Sequence, residues 1–208
     1  MKKKNSPTEA FLRTFHALPT PKSFDIYLDD ILYIKDMLYQ DFSQYKPLSK
    51  GEHHIVITLT GESDVIAMRS IWISSQKIYT LIIAPDLKSD IPGLYLINDV
   101  QRSIPENHCL IRVGAFCEKS ELIHIHYTNH PLSFQKISPH QISHYLAFEP
   151  GDYTITAEDL EQKEILCELK ACKFKTQRIY THYCLGKGTK EYPFQLLHSI
   201  DGSSFLTF

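Results

Sequence analysis

Apolar and polar residues alternate with a period of two along most of the chain, the pattern of strands whose side chains point to opposite faces of a sheet. Residues 24–28 (F-D-I-Y-L) alternate cleanly and residues 53–59 (H-H-I-V-I-T-L) less strictly. Residues 77–83 (K-I-Y-T-L-I-I) start alternating and become wholly apolar, as a strand covered on both faces does. The same theme runs through residues 122–127, 153–157, 165–174 and 178–184. Turn-forming residues punctuate it: Pro19 to Pro21, Asp29-Asp30, Ser49-Lys50-Gly51, Thr60-Gly61-Glu62, Pro92-Gly93, Pro150-Gly151-Asp152 and Asp201-Gly202. Short strands so punctuated predict an all-β sandwich or barrel. The best helical candidate is residues 30–42, where Ile31, Ile34, Leu38 and Phe42 fall roughly on one face without a clean cap.

The pattern repeats. Phe11-Leu12-Arg13-Thr14-Phe15 returns as Leu110-Ile111-Arg112-Val113-Gly114, and Phe24-Asp25-Ile26-Tyr27 as Ile123-His124-Ile125-His126. Tyr45 and Gly51 return as Tyr145 and Gly151, and Lys77-Ile78-Tyr79-Thr80 as Arg178-Ile179-Tyr180-Thr181. The offset drifts only from 99 to 101 residues, so the four landmarks stay in order at one spacing. The expected architecture is two tandem antiparallel β-sandwiches, at residues 10–100 and 108–208, joined through the polar stretch at residues 99–108. Sandwiches of this size carry about seven strands. The first core is expected to hold Ile26, Leu28, Ile55, Ile57, Tyr79 and Leu81, and the second Ile125, Tyr127, Ile155, Leu169 and Ile179. Arg13 and Arg112 sit mid-strand among apolar neighbours and should point outward or pair with a carboxylate. Gly51 and Gly151 should each supply a turn with positive φ.

Composition narrows the function. A net charge of −2 argues against a nucleic-acid partner, because phosphate binding needs a concentrated basic face. Lys2-Lys3-Lys4 reads as a solvated terminus. It is no signal peptide on this reading, since Glu9 and Arg13 stand where the apolar region should be. No run approaches a membrane span, and synthesis in the cytoplasm is expected. Cys109, Cys117, Cys167, Cys172 and Cys184 are odd in number and all lie in the second half, which suits free thiols in small apolar positions better than a disulfide framework.

Arg13-Thr14-Phe15-His16-Ala17-Leu18-Pro19 followed by Phe24-Asp25-Ile26-Tyr27-Leu28-Asp29-Asp30 resembles the opening of the bacterial domain-of-unknown-function 4397 family. Tyr45, Leu48 and Gly51 fit its next element, and Lys77-Ile78-Tyr79-Thr80-Leu81-Ile82 its later Tyr-Thr strand. The second copy keeps Pro150-Gly151, Tyr153 and Tyr180-Thr181 but has no His and Pro after Arg112. The resemblance implies an immunoglobulin-like sandwich, often in tandem, and carries no catalytic residues. Many members of the family are surface proteins.

Patterns of catalysis are missing. Leu185-Gly186-Lys187-Gly188-Thr189 lacks the glycine cradle of a phosphate-binding loop and reads as a hairpin loop. Histidine is the compositional anomaly, with eight of the eleven in the second half. His124 and His126 share a strand face. Together with His144, His182 or Cys184 from a neighbouring strand they are the candidate metal ligands, although the aligned Asp25 and Tyr27 point to an exposed pair. Cys167 and Cys172, five apart, should face opposite sides of a regular strand, and His53-His54 should be surface residues at a turn. The expected protein is therefore a non-enzymatic structural or interaction protein of a bacterial cell, with a protein partner and no cofactor. By analogy it is placed in a spore coat or envelope layer. The rival is a metal-binding or enzymatic protein using the second domain's His and Cys.

Overall fold

The computed structural model describes residues 9–99, 102–118 and 122–208. Lys2 to Lys4, and Val100 and Gln101 of the expected junction, lie outside them. The chain divides into two compact units, Met1–Gln101 with Phe205–Phe208, and Arg102–Ser204. The final residues therefore group with the first unit, not with the second repeat: the Phe208 ring lies 5.5 Å from that of Phe11, and the Phe205 ring 6.0 Å from that of Tyr45.

In the first unit the strands are β1 (Glu9–His16), β2 (Phe24–Leu28), β3 (Ile31–Met37), β4 (Lys46–Ser49), β5 (Gly51–Leu59), β6 (Val65–Ile73), β7 (Ile78–Ala84) and β8 (Gly93–Asn98). They form two sheets in the orders β4-β1-β7-β8 and β3-β2-β5-β6. The second unit repeats this with β9 (Cys109–Ala115), β10 (Ile123–Tyr127), β11 (Ser133–Ile137), β12 (Leu146–Phe148), β13 (Gly151–Asp159), β14 (Ile165–Phe174), β15 (Ile179–Leu185) and β16 (Gln195–Ile200). Its sheets run β12-β9-β15-β16 and β11-β10-β13-β14. The fold is all-β, two sandwiches of one topology, with eight strands per unit among the described residues where about seven were expected.

Two expectations need correction. One sheet of each sandwich is antiparallel throughout and the other is mixed: β1 pairs with β7 in parallel, and β9 with β15. The chain returns to the sheet of β1 first as β4, antiparallel to it, and after β5 and β6 again as β7, which runs in the direction of β1. Residues 31–37 are an edge strand and no helix forms at 30–42. Asp29 and Asp30, at φ 50 and 64, turn the chain through a two-residue hairpin that pairs β3 with β2. Asp25 then fixes the bulged end of β3, its Oδ1 accepting the Asp36 N–H at 2.8 Å. Gly51 has the positive φ expected of it, at +135, whereas Gly151 does not.

Every residue expected in the two cores is buried except Leu169, which packs half-buried against the second; Ile179, although buried, lies on the face of β15 opposite the core residues Tyr180 and Cys184. Leu12 and Leu81 from one sheet meet Ile26 and Ile57 from the other in the first unit, each fully buried. Burial of such side chains contributes about 1.5–3 kcal/mol each.

The opposite face of β1 carries a buried polar network. Arg13 donates from Nε to Thr80 Oγ1 at 3.0 Å, and that hydroxyl donates to Asp99 Oδ2 at 3.0 Å. Tyr45 OH donates to the same carboxylate oxygen at 2.7 Å. The guanidinium is covered by the rings of Phe42 and Tyr45, 4.6 and 4.8 Å away. The second unit builds the same object. Arg112 Nε reaches Thr181 Oγ1 at 2.8 Å, Thr181 reaches Asp201 Oδ1 at 2.7 Å, and Tyr145 OH reaches Asp201 Oδ2 at 2.6 Å. Arg112 Nη2 also pairs with Asp201 Oδ2 at 3.0 Å. Both arginines thus point out of the sandwich core, Arg112 pairing with Asp201 and Arg13 reaching Asp99 through Thr80. Removing one partner of a buried ion pair strands the other charge, at a cost of about 3–5 kcal/mol. Asp201→Ala should lose that much in urea unfolding of the second unit, and the loss should shrink when Arg112→Met is added.

Candidate functional site

The four histidines considered as ligands do not converge. His124 and His126 lie half-buried on the outer face of β10 with rings 5.3 Å apart, and His124 Nδ1 is 3.6 Å from Glu158 Oε2. His144 is exposed in the loop before β12. His182 is fully buried on β15. It meets a different pair: His198, its cross-strand partner on β16, and Cys172 on β14. The ligand atoms of Cys172, His182 and His198 all lie within 4.8 Å of one another. His182 Nε2 is 2.8 Å from His198 Nδ1, and Tyr127 OH lies 3.0 Å from the other nitrogen of His182. Phe174 and Tyr180 stack on this pair. Burial, and then the neighbouring His198, push the His182 imidazole well below its usual pKa. Burial also lowers His198 and pushes the Cys172 thiol up to about 12.

Sequence reasoning missed Cys172 because it assumed a regular strand. Between Tyr153↔Cys172 and Ile155↔Leu169, β14 holds one residue more than β13. Ala171, at φ 54, marks this bulge. The extra residue reverses the alternation, so Cys167 and Cys172 both face the core. His198 was missed because β16 has no clean alternation. Four of the five thiols are buried, Cys167 is half-buried, and all five are unbridged. Hydrogen bonding with Cys117 and Cys167, and burial, hold Cys184 well above its usual pKa. His53 is also not a surface residue: it is buried, 2.6 Å from Asp29 Oδ2 and 2.9 Å from the Ser49 carbonyl, while His54 is exposed.

The first unit is distinguished by its outer face. Leu32, Tyr27, Val56 and Met68 lie side by side in register across β3, β2, β5 and β6. Met68 is 71% exposed and Trp72, on the same face of β6, 69%. The corresponding row in the second unit is Ser133, His126, Thr156 and Glu168, and Lys173 replaces Trp72.

The description "Domain of unknown function (DUF4397)" is that of the family whose pattern matches residues 10–120, a little over half of the 208 residues. The chain belongs to the DUF4397 family. The match spans the whole first sandwich and reaches β9. Comparison with curated proteins found no match. The DUF4397-like residues of the first copy are occupied in holding the fold: Arg13, Tyr45 and Thr80 build the buried network, and Asp25 receives the Asp36 and Gly61 N–H groups and the Thr60 hydroxyl.

His16 also belongs to the DUF4397 opening, and it titrates against the fold. Its ring is fully buried and stacked on Phe24 at 4.4 Å. Burial pushes it from 6.5 down to about 4, against the opposing pull of the Lys22 carbonyl and Asp41. A folded-state pKa below the unfolded one means stability that is full above pH 6.5 and lost as pH falls toward 4, amounting to about 3 kcal/mol. Trp72, the single tryptophan, reports on this unit by fluorescence. Acid unfolding seen by Trp72 should be markedly less pH-dependent between 6.5 and 4 in His16→Leu; an unchanged profile would assign the sensitivity elsewhere.

Proposed function

We propose that the chain is a non-enzymatic interaction protein of a bacterial cell. On this reading an immunoglobulin-like sandwich binds an extended segment of a protein partner along β6, and the protein takes its place in a layer such as a spore coat or envelope. The observation that carries the reading is the contrast between two edges of one architecture. β6 and β14 both end their sheets, so each presents backbone donors and acceptors on its outer side.

β14 has the features that discourage strand addition: Lys170 and Lys173 exposed along it, and a bulge at Ala171. β6 has neither lysine nor proline and keeps unbroken register from Ile73 to Ala67. Its one arginine, Arg69, donates inward to the Leu94 carbonyl. The apolar row ending at Met68, with Trp72 beside it, offers alternate side chains of an added strand a surface to pack on. A lone exposed apolar residue needs no explanation, but a contiguous row on one copy and not the other does.

The test is selection of peptides from a random library against the purified chain. Binders should show alternating apolar residues and protect outward-facing β6 amides from hydrogen exchange. Trp72→Lys should weaken them roughly 30-fold, the loss of a central aromatic anchor, while Lys173→Ala leaves them unchanged. Binders indifferent to both Trp72→Lys and Met68→Lys would refute the reading, and self-association abolished by the same variants would replace the partner with a second copy.

A further inference from the structure

Three side chains with metal-ligand chemistry meet inside the second sandwich, and the first sandwich shows what those positions hold when no such chemistry is present. Aligned through the strand pairings, His182 and His198 correspond to Leu81 and Leu96, which face each other across β7 and β8. Cys172 corresponds to Ile71, and Tyr127 to Leu28. Four aliphatic positions of one core have become two imidazoles, a thiol and a phenol in the other, and all four converge on one point. A buried polar group costs free energy unless it is satisfied. Four such replacements gathered in one place therefore ask for a joint purpose.

We infer that Cys172, His182 and His198 form a binding site for a single copper(I) ion, held by Cys172 Sγ, His182 Nε2 and His198 Nδ1. Tyr127 OH, bonded to His182 Nδ1 at 3.0 Å, fixes the ring so that Nε2 faces the ion, as an outer partner of a ligating histidine does. A thiolate with two imidazoles is a soft set, suited to copper(I) or zinc. Charge decides between them. On binding, the Cys172 S–H proton leaves to solvent and the neutral imidazoles shift tautomer without losing a proton. One thiolate then neutralises one monovalent ion, so the complex adds no net charge to a pocket walled by Phe174, Tyr180 and Tyr127. A divalent ion leaves one uncompensated positive charge there, and zinc also asks for a fourth ligand. The two nitrogens, now 2.8 Å apart, must open to about 3.5 Å for trigonal bonds of about 2.0 Å.

The experiment is anaerobic titration of the full chain with copper(I) against a chromophoric copper(I) chelator, with zinc as a parallel arm and X-ray absorption on the loaded protein. The expected result is one equivalent bound, coordinated by one sulfur and two nitrogens. Cys172→Ser and His198→Leu should each weaken binding at least about 100-fold, and Tyr127→Phe by roughly 10–100-fold. Cys172→Ile/His182→Leu/His198→Leu, which installs the first sandwich's residues, should stay folded by circular dichroism and bind nothing. His124→Ala/His126→Ala should bind as the parent does. Failure of the parent to compete for copper(I), binding lost with Cys184→Ser but retained by the triple variant, or one equivalent of zinc held in preference to copper(I) would each overturn the assignment.

Discussion

Each sandwich is organised around a buried arginine. Arg13 and Arg112 lie at the centre of a first strand, where an aliphatic residue would pack without electrostatic demands, and each obliges three other segments to meet it. Threonine must stand opposite on the parallel strand, at Thr80 or Thr181, and the carboxylate must arrive from the end of the last strand, at Asp99 or Asp201. A tyrosine must fold over from the loop before the fourth strand. A buried ion pair adds little net stability over an apolar substitute, because desolvation offsets its attraction. Its effect is on register: a slip of β1 against β7 by one residue turns Arg13 toward the aliphatic core and leaves Asp99 with no guanidinium. The two networks join the same four residue types at matching positions, with Thr80 and Tyr45 sharing one oxygen of Asp99 and Thr181 and Tyr145 dividing the two of Asp201, so the constraint belongs to the architecture and is independent of what either copy does.

With that frame fixed, the copies are free to differ elsewhere, and they differ in opposite places. The first is aliphatic inside and has an apolar row outside. The second is polar along the same outer row and carries imidazole, thiol and phenol groups inside. These differences are changes of side chain on a shared sheet order, joined by two changes of register: a second shift between β2 and β3 that β10 and β11 lack, and the bulge at Ala171. That bulge has two effects at once: it disrupts an exposed edge and it turns Cys172 inward.

The strands, the duplication and most of the core could be read from the sequence because they depend on short-range periodicity and on landmarks that keep their spacing. Arg13 and Arg112, Tyr45 and Tyr145, and Thr80 and Thr181 were visible as a repeat before their contacts were known. Their carboxylate partners were not. Asp99 falls in a polar stretch that reads as a connection and Asp201 in an Asp-Gly turn signal, and only the fold brings Asp99 back to the network of β1 and Asp201 to that of β9. The helical spacing of Ile31, Ile34, Leu38 and Phe42 was real but irrelevant, since the Asp29-Asp30 turn commits the following residues to a hairpin. The His and Cys cluster escaped for a third reason. It depends on strand parity, which one inserted residue reverses, and on a cross-strand neighbour that no spacing rule reaches.

The parallel pairing of first and seventh strands also governs how the protein is made. Arg13 and Thr80 are 67 residues apart in the chain. At elongation rates of roughly 5–20 residues per second, β1 emerges from the ribosome about 3–13 s before its partner is synthesised. For that interval the arginine at the centre of β1 has no threonine opposite it, and only the short strand β4 is there to pair with the start of β1. The second copy later offers β15, with a threonine in the same place, as a competing partner. Closing the first sandwich before that strand appears would keep two like halves from exchanging strands, and N-to-C synthesis gives the first copy that head start.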